Sequence, residues 1–192
     1  MELLEILLAG SGGQGLGLAG VILARSFAEE EGKNVVESET YGISMRGGLS
    51  RSEVLVSAGE INDLKVTEPD ILLAMSQEAA DFFIPKVKES GSIFLDSTHV
   101  GDVPKTEAKV FALPFTKEAR SLGREAIANV IAVGSIASIS SVISRGSLEN
   151  TLKKTFDSPA REMNLQALDK GYKLGKNRNQ GVRHGKKTAG NS

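Results

Sequence analysis

Short apolar runs and helically spaced apolar residues alternate along the first 115 positions, the pattern of an α/β chain. Leu3 to Ala9 is an apolar run broken only by Glu5, which predicts a strand buried on both faces of a parallel sheet. The glycine-rich stretch AGSGGQGLG (9–17) ends it. From Leu16 to Glu31 the residues Leu18, Val21, Ile22, Ala24, Phe27 and Ala28 recur at helical spacing, and Glu29 to Glu31 with Gly32 close the segment. Asn34 to Ser38 then predicts a second strand, completing a βαβ unit whose right-handed crossover sets it parallel to the first. Residues 39–48 read as irregular. In 50–57 Val54 and Val56 alternate with polar neighbours as in a strand, and Ala58-Gly59 suggests a turn into another short strand. Further strands are predicted at 70–76, 92–98 and 109–114, with a helix kinked at Pro85 over 77–90.

The remainder is helical in pattern. Thr116 to Ser141 is mostly helix, and residues 126–140 (AIANVIAVGSIASIS) are apolar nearly all round, so this helix is expected either at the centre of the domain or under another subunit. Residues 147–156 predict a helix opened by a capping-box-like Ser147 with Asn150, its Leu148, Leu152 and Phe156 on one face. A last helix follows Pro159. Beyond Gly175 the chain has five Lys/Arg and no acid, and is expected to be a disordered basic tail (176–192). The fold class is therefore α/β: an open, mostly parallel Rossmann-like sheet flanked by helices, with a helical C-terminal part, in one domain over 1–175.

Charge and composition remove several function classes. Lys+Arg is 23 against Asp+Glu 24, so no global field draws the chain to nucleic acid or to an anionic membrane, and neither is expected as a partner. The absence of cysteine removes disulfides, catalytic thiols and thiolate-held iron–sulfur clusters together. With His99 and His184 the only histidines, neither a histidine-rich metal site nor a Ser-His-Asp triad is expected. No signal-peptide pattern or run of about 18 apolar residues is present, and a cytoplasmic location is expected.

Candidate chemistry begins in the glycine loop. Gly10, Gly12 and Gly15 satisfy G-x-G-x-x-G after a predicted strand and at the start of a helix, where exposed N–H groups and the helix dipole favour a phosphate. Gly13 and Gln14 add a second flexible unit and an amide that can both donate and accept. Glu37 and Glu39 follow near the distance at which an NAD-binding fold places its ribose-holding acid. A nicotinamide dehydrogenase is thus one reading, though no histidine–carboxylate pair for hydride transfer is evident. A loop that only packs helix against strand is another. The second unusual segment is YGISMRGG (41–48), in which Tyr41, Met45 and Arg46 are large and Gly47-Gly48 permit close backbone approach. Arg46 is suited to clamping a carboxylate or phosphate if the two loops meet at the carboxyl end of the sheet.

GSGGQG after the first strand, ETYGISMRGG about thirty residues on, GREAIANVIAVGSIA, and LENTLKKTF with NLQALDKGYKLG together resemble the gamma subunit of 2-oxoacid:ferredoxin oxidoreductases, over Leu3 to about Gly175. The resemblance implies a subunit of an enzyme that converts a 2-oxoacid and coenzyme A to acyl-CoA and CO2, passing electrons to ferredoxin. It implies that this chain helps bind coenzyme A through Gly10, Ser11, Gly12, Gly13, Gln14 and Gly15, with Glu39, Tyr41, Arg46, Gly47 and Gly48 shaping the crevice and Asn129 reaching the ligand or pinning the loops. No residue of this chain is expected to be catalytic. Thiamine diphosphate, magnesium and iron–sulfur clusters are expected on alpha, beta and ferredoxin-like delta partners. Arg51 departs from the small or polar residue expected there. The short unfused chain is most like 2-oxoglutarate enzymes, with pyruvate, indolepyruvate and branched-chain 2-oxoacids as alternatives. A free-standing dehydrogenase and a purely structural docking subunit remain the competing functions.

Overall fold

A computed structural model describes residues 3–41 and 48–181, Tyr41 and residues 178–181 by their backbone alone. Among the described residues six strands form one sheet: β1 (Leu4–Ser11), β2 (Asn34–Tyr41), β3 (Leu49–Ser57), β4 (Ile71–Ala74), β5 (Ser92–Asp96) and β6 (Lys109–Leu113). The helices are α1 (Leu16–Arg25), α2 (Gln77–Phe83), α3 (Phe115–Ser121), α4 (Ala128–Ser140), α5 (Arg145–Thr155) and α6 (Ala160–Gly181). The π-helical turn Ser26–Glu30 extends α1, and the 3-10 turns Ile84–Lys86 and Glu125–Ile127 follow α2 and precede α4. Strand order is β2-β3-β1-β4-β5-β6. β1, β4, β5 and β6 pair in parallel, while β3 is antiparallel to both β1 and β2.

β2 therefore runs in the direction of β1, as the βαβ pattern predicts, but β3 lies between them. The reason lies in β3 itself. Val54 and Val56 face one side while Glu53, Leu55 and Ser57 are buried on the other, so the strand is covered on both faces and takes an interior position. Glu53 is accommodated there because its Oε2 accepts the Val66 N–H at 3.0 Å. Between Ser57 and Ile71 the described residues form no further strand, contrary to the expectation from Ala58-Gly59. That segment is instead tied to the sheet by carboxylates: Glu5 Oε2 accepts from Thr67 N–H at 2.8 Å and from Glu68 N–H at 3.2 Å.

Alternation along the strands divides the core in two. Ile6, Leu8, Val54, Val56, Ile71, Leu73 and Phe94 face α1 and α3 to α6, and Leu7, Ala9, Leu72, Ala74, Ile93 and Leu95 face α2. α4 lies inside the larger layer, with Ala128 to Ala137 buried without a break, which settles its all-round apolarity in favour of a central position. It crosses α6 at glycines: a Cβ on Gly171 would stand 2.1 Å from Ile131 O, and one on Gly134 2.5 Å from Leu168 O. Such contact lets Ser135 Oγ donate to Gly171 O at 2.9 Å. α5 starts earlier than predicted, capped by Ser144, whose Oγ accepts from Ser147 N–H at 3.0 Å; Ser147 is a first-turn residue and its Oγ donates to Glu31 Oε1 at 3.0 Å. α6 continues past Gly175 to Gly181, so the first residues of the expected tail are helical.

Candidate functional site

Because α1 and α2 lie on opposite faces, the connections leaving β1 and β4 part at the carboxyl ends of two adjacent parallel strands. This is the switch point at which open α/β sheets leave a crevice for ligands. The glycine loop stands on it. β1 ends at Ser11, Gly13 has φ +90° and Gly15, the residue before α1, has φ +72°. Both angles lie in the left-handed region that glycine enters without strain.

Two amide side chains hold the loop. Gln14 Oε1 accepts the Ser11 N–H at 2.8 Å and Gln14 Nε2 donates to Met75 O at 2.9 Å, so one side chain joins the β1–α1 loop to the β4–α2 loop. Gly10 makes room for it, since a Cβ there would come within 2.3 Å of Gln14 Oε1. On the other side Asn129, only 1% exposed at the start of α4, donates from Nδ2 to Gly15 O at 2.7 Å, while its Oδ1 accepts the Val130 N–H at 2.8 Å. A Cβ on Gly15 would meet the same amide at 2.7 Å. Gly12 and Gly13 are different: both are exposed, and a Cβ on either would meet nothing within 4 Å. The loop is thus rigid at Gly10, Gln14 and Gly15 and bare at its tip, the shape that lets an anion approach backbone N–H groups.

The acids at the end of β2 serve α1. Glu39 packs on the first turn of the helix, where a Cβ on Gly17 would be 2.0 Å from its Oε1, and Glu37 Oε1 accepts from Ser52 Oγ at 2.8 Å beneath Gly20. They are separated from β1 by the width of β3, unlike the acid of an NAD-binding unit, whose strand is the neighbour of the first. Tyr41's side chain, Arg46 and Gly47 lie outside the described residues, while Gly48 begins the return into β3. Arg51 faces the α2 side, with Nε 2.9 Å from Glu53 Oε1 and its guanidinium 6.0 Å from the Phe83 ring centroid. The Nε–H is not aimed at that carboxylate and is buried without a hydrogen bond.

Tertiary structure also brings residues to this edge that sequence patterns did not single out. Fully buried Asp96, at the end of β5, accepts from Thr98 N–H at 3.0 Å, from Thr116 N–H at 3.1 Å and from the Thr116 hydroxyl, fixing the start of α3. A carboxylate ending an apolar strand, as in SIFLDST, is the signal that could have found it. Nearby, Arg120 Nε donates to Glu125 Oε2 at 2.8 Å; this bond holds the Glu125 carboxyl below the usual carboxylate range and raises Arg120. Among the described residues no three His, Asp or Glu side chains converge on a common point, and no helix is long and apolar enough to cross a membrane.

Comparison with known proteins points one way. The family model for pyruvate ferredoxin/flavodoxin oxidoreductase matches residues 5–174. The 2-oxoglutarate synthase subunit KorC of Methanocaldococcus jannaschii is 36% identical over 175 residues, covering 90% of this chain and 94% of that protein. The crystal structure of a keto/oxoacid ferredoxin oxidoreductase gamma subunit from Geobacter sulfurreducens superposes with TM-score 0.84 at 34% identity, covering 92% of this chain and 98% of that one. A 2-oxoglutarate:ferredoxin oxidoreductase from Magnetococcus marinus, solved with 2-oxoglutarate, coenzyme A and succinyl-CoA bound, shares the fold at TM-score 0.82 and 24% identity over 92% of this chain and 32% of its own. A bare phosphate-type loop at a switch point, on a sheet that departs from the NAD-binding order, is accordingly the frame of a chain that belongs to the pyruvate ferredoxin/flavodoxin oxidoreductase family, as a gamma-type subunit of 2-oxoacid:ferredoxin oxidoreductases.

Proposed function

We propose that this chain supplies the coenzyme A phosphate site of a cytoplasmic complex that oxidatively decarboxylates 2-oxoglutarate to succinyl-CoA and CO2, with electrons passing to ferredoxin. The observation that carries the proposal is the loop tip. Gly12 and Gly13 are bare of neighbours while Gln14 and Asn129 immobilise the residues on either side, so the anion site is formed before the ligand arrives. The residues that would hold the diphosphate are Ser11, Gly12 and Gly13. Coenzyme A supplies the thiol that accepts the acyl group. Thiamine diphosphate, magnesium and iron–sulfur clusters belong on alpha, beta and delta partners, in keeping with a chain that has no cysteine for a cluster. The 2-oxoglutarate assignment rests on the likeness to KorC, and the coenzyme A assignment is supported by the ligands of the Magnetococcus marinus enzyme.

The test is Gly12→Val in the assembled complex. A branched side chain at the bare tip should raise the KM for coenzyme A by roughly tenfold or more, the worth of one charge-assisted hydrogen bond, and leave the KM for the 2-oxoacid alone. An unchanged coenzyme A KM removes the loop from the site. Comparison of kcat/KM for 2-oxoglutarate, pyruvate and a branched-chain 2-oxoacid decides the substrate.

A further inference from the structure

A cleft of about 130 Å³ opens beside the glycine loop, between α1, the turn before α4, and the start of α6. It shares Asn129 with the loop, and its apolar lining is Leu18, Ala126, Ile127, Phe156, Ala160 and Met163. Leu18, in the first turn of α1, is 40% exposed and open to a ligand at the cleft mouth. Whole cofactors occupy pockets of about 300 Å³ or more, so this cleft has room for one moiety only.

Besides Asn129, two polar residues line it, Arg124 and Asn164. Asn164, 7% exposed, spends one Nδ2 hydrogen on Ala160 O at 2.9 Å, and no other described residue takes its second N–H or its Oδ1. An amide offering one donor and one acceptor side by side is the complement of an adenine edge. Arg124 lines the same cleft, is exposed, and has no ion-pair partner among the described residues, because the neighbouring Glu125 is engaged by Arg120. An unneutralised guanidinium beside an apolar slot suits a phosphate monoester attached close to a base.

We infer that this cleft takes the adenine of coenzyme A, with Asn164 reading the base and Arg124 binding the ribose 3′-phosphate, the group that separates coenzyme A from other adenine nucleotides. The inference rests on the proposed use of the glycine loop for the diphosphate. It makes Arg124 a specificity residue some distance from any reacting atom.

Calorimetric titration of the assembled complex with coenzyme A and with dephospho-CoA tests it. Arg124→Gln should weaken coenzyme A roughly 10- to 100-fold, the range of a charge-assisted contact, and leave dephospho-CoA unchanged. Ala160→Phe, which fills the cleft from a partly exposed first-turn position, should weaken both ligands. If Arg124→Gln affects the two ligands equally or neither, or if Ala160→Phe leaves both unaltered, the assignment falls. Gly12→Val in the same titration separates the two readings. Loss of coenzyme A binding there with no effect at Arg124 or Ala160 overturns the cleft alone, and no effect at Gly12 overturns the loop.

Discussion

Gly10 and Gln14 should behave as one unit, and a double-mutant cycle measures it. Gln14→Ala removes the bonds to Ser11 N–H and Met75 O, 2.8 and 2.9 Å long, at about 1 kcal/mol each, or roughly 2 kcal/mol together. Gly10→Ala places a Cβ 2.3 Å from Gln14 Oε1, and also 3.0 Å from Met75 Cβ and 3.2 Å from Leu16 Cδ1. The amide cannot stay where it is, so the same two bonds are lost. The two tighter contacts add a few tenths of a kcal/mol, which the roughly 0.5–1 kcal/mol of unfolded-state entropy removed with a glycine offsets. Each single variant should therefore lose about 2 kcal/mol. The double variant should lose about the same, since the amide is already gone, giving a coupling near 2 kcal/mol in urea unfolding curves. Additivity within about 0.5 kcal/mol, or a Gly10→Ala variant as stable as the parent, refutes the arrangement.

Two further predictions concern the helical layer. Gly171→Ala sets a Cβ 2.1 Å from Ile131 O and 3.0 Å from Gly134 Cα, both backbone, so α4 and α6 must move apart. The expected net loss is about 2 kcal/mol after the gain in helix propensity; it should appear as a Tm lower by roughly 4–8 °C, and an unchanged or higher Tm contradicts the close crossing. Buried Tyr172, with Arg145 Cζ 5.2 Å from its ring centroid, has its phenol pushed up to about 12 by burial. The unfolded chain ionises there near pH 10 while the native one stays neutral, so this group favours folding below that pH and the stability is lost as pH rises through about 12. Urea midpoints measured at pH 9 and 11 should fall less in Tyr172→Phe than in the parent, and parallel declines exclude the effect.

How far the chain could be read without coordinates follows from the range of each signal. The run before the glycine loop, the helix after it and the strands at 71–74, 92–96 and 109–113 lie where periodicity and turn residues place them, since both act within a few positions. The sequence pattern caps α5 at Ser147, three residues after the true cap Ser144, because the two serines are equally good caps in isolation. The glycine loop was legible as a phosphate-type turn, but the functions of its neighbours were not. Gln14 is read from its type as an amide beside the ligand, and for Asn129 the resemblance leaves open ligand contact or pinning of the loops; their partners, 61 and 114 positions away, show both supporting the loop.

By itself the sequence determines the alternation of strands and helices, the flexible loop at the end of β1, the lack of thiolate chemistry and, through the order of its motifs, the family. Those properties are carried by neighbours in the chain and by residue type. The tertiary structure alone decides that β3 enters between β1 and β2, that α4 is a core helix, and that Leu18, Arg124 and Asn164 meet at one cleft. Strand partnership and helix crossing depend on how buried faces compete for the same interior. That competition is settled by shape and desolvation across the whole domain, with no trace in any short window of residues.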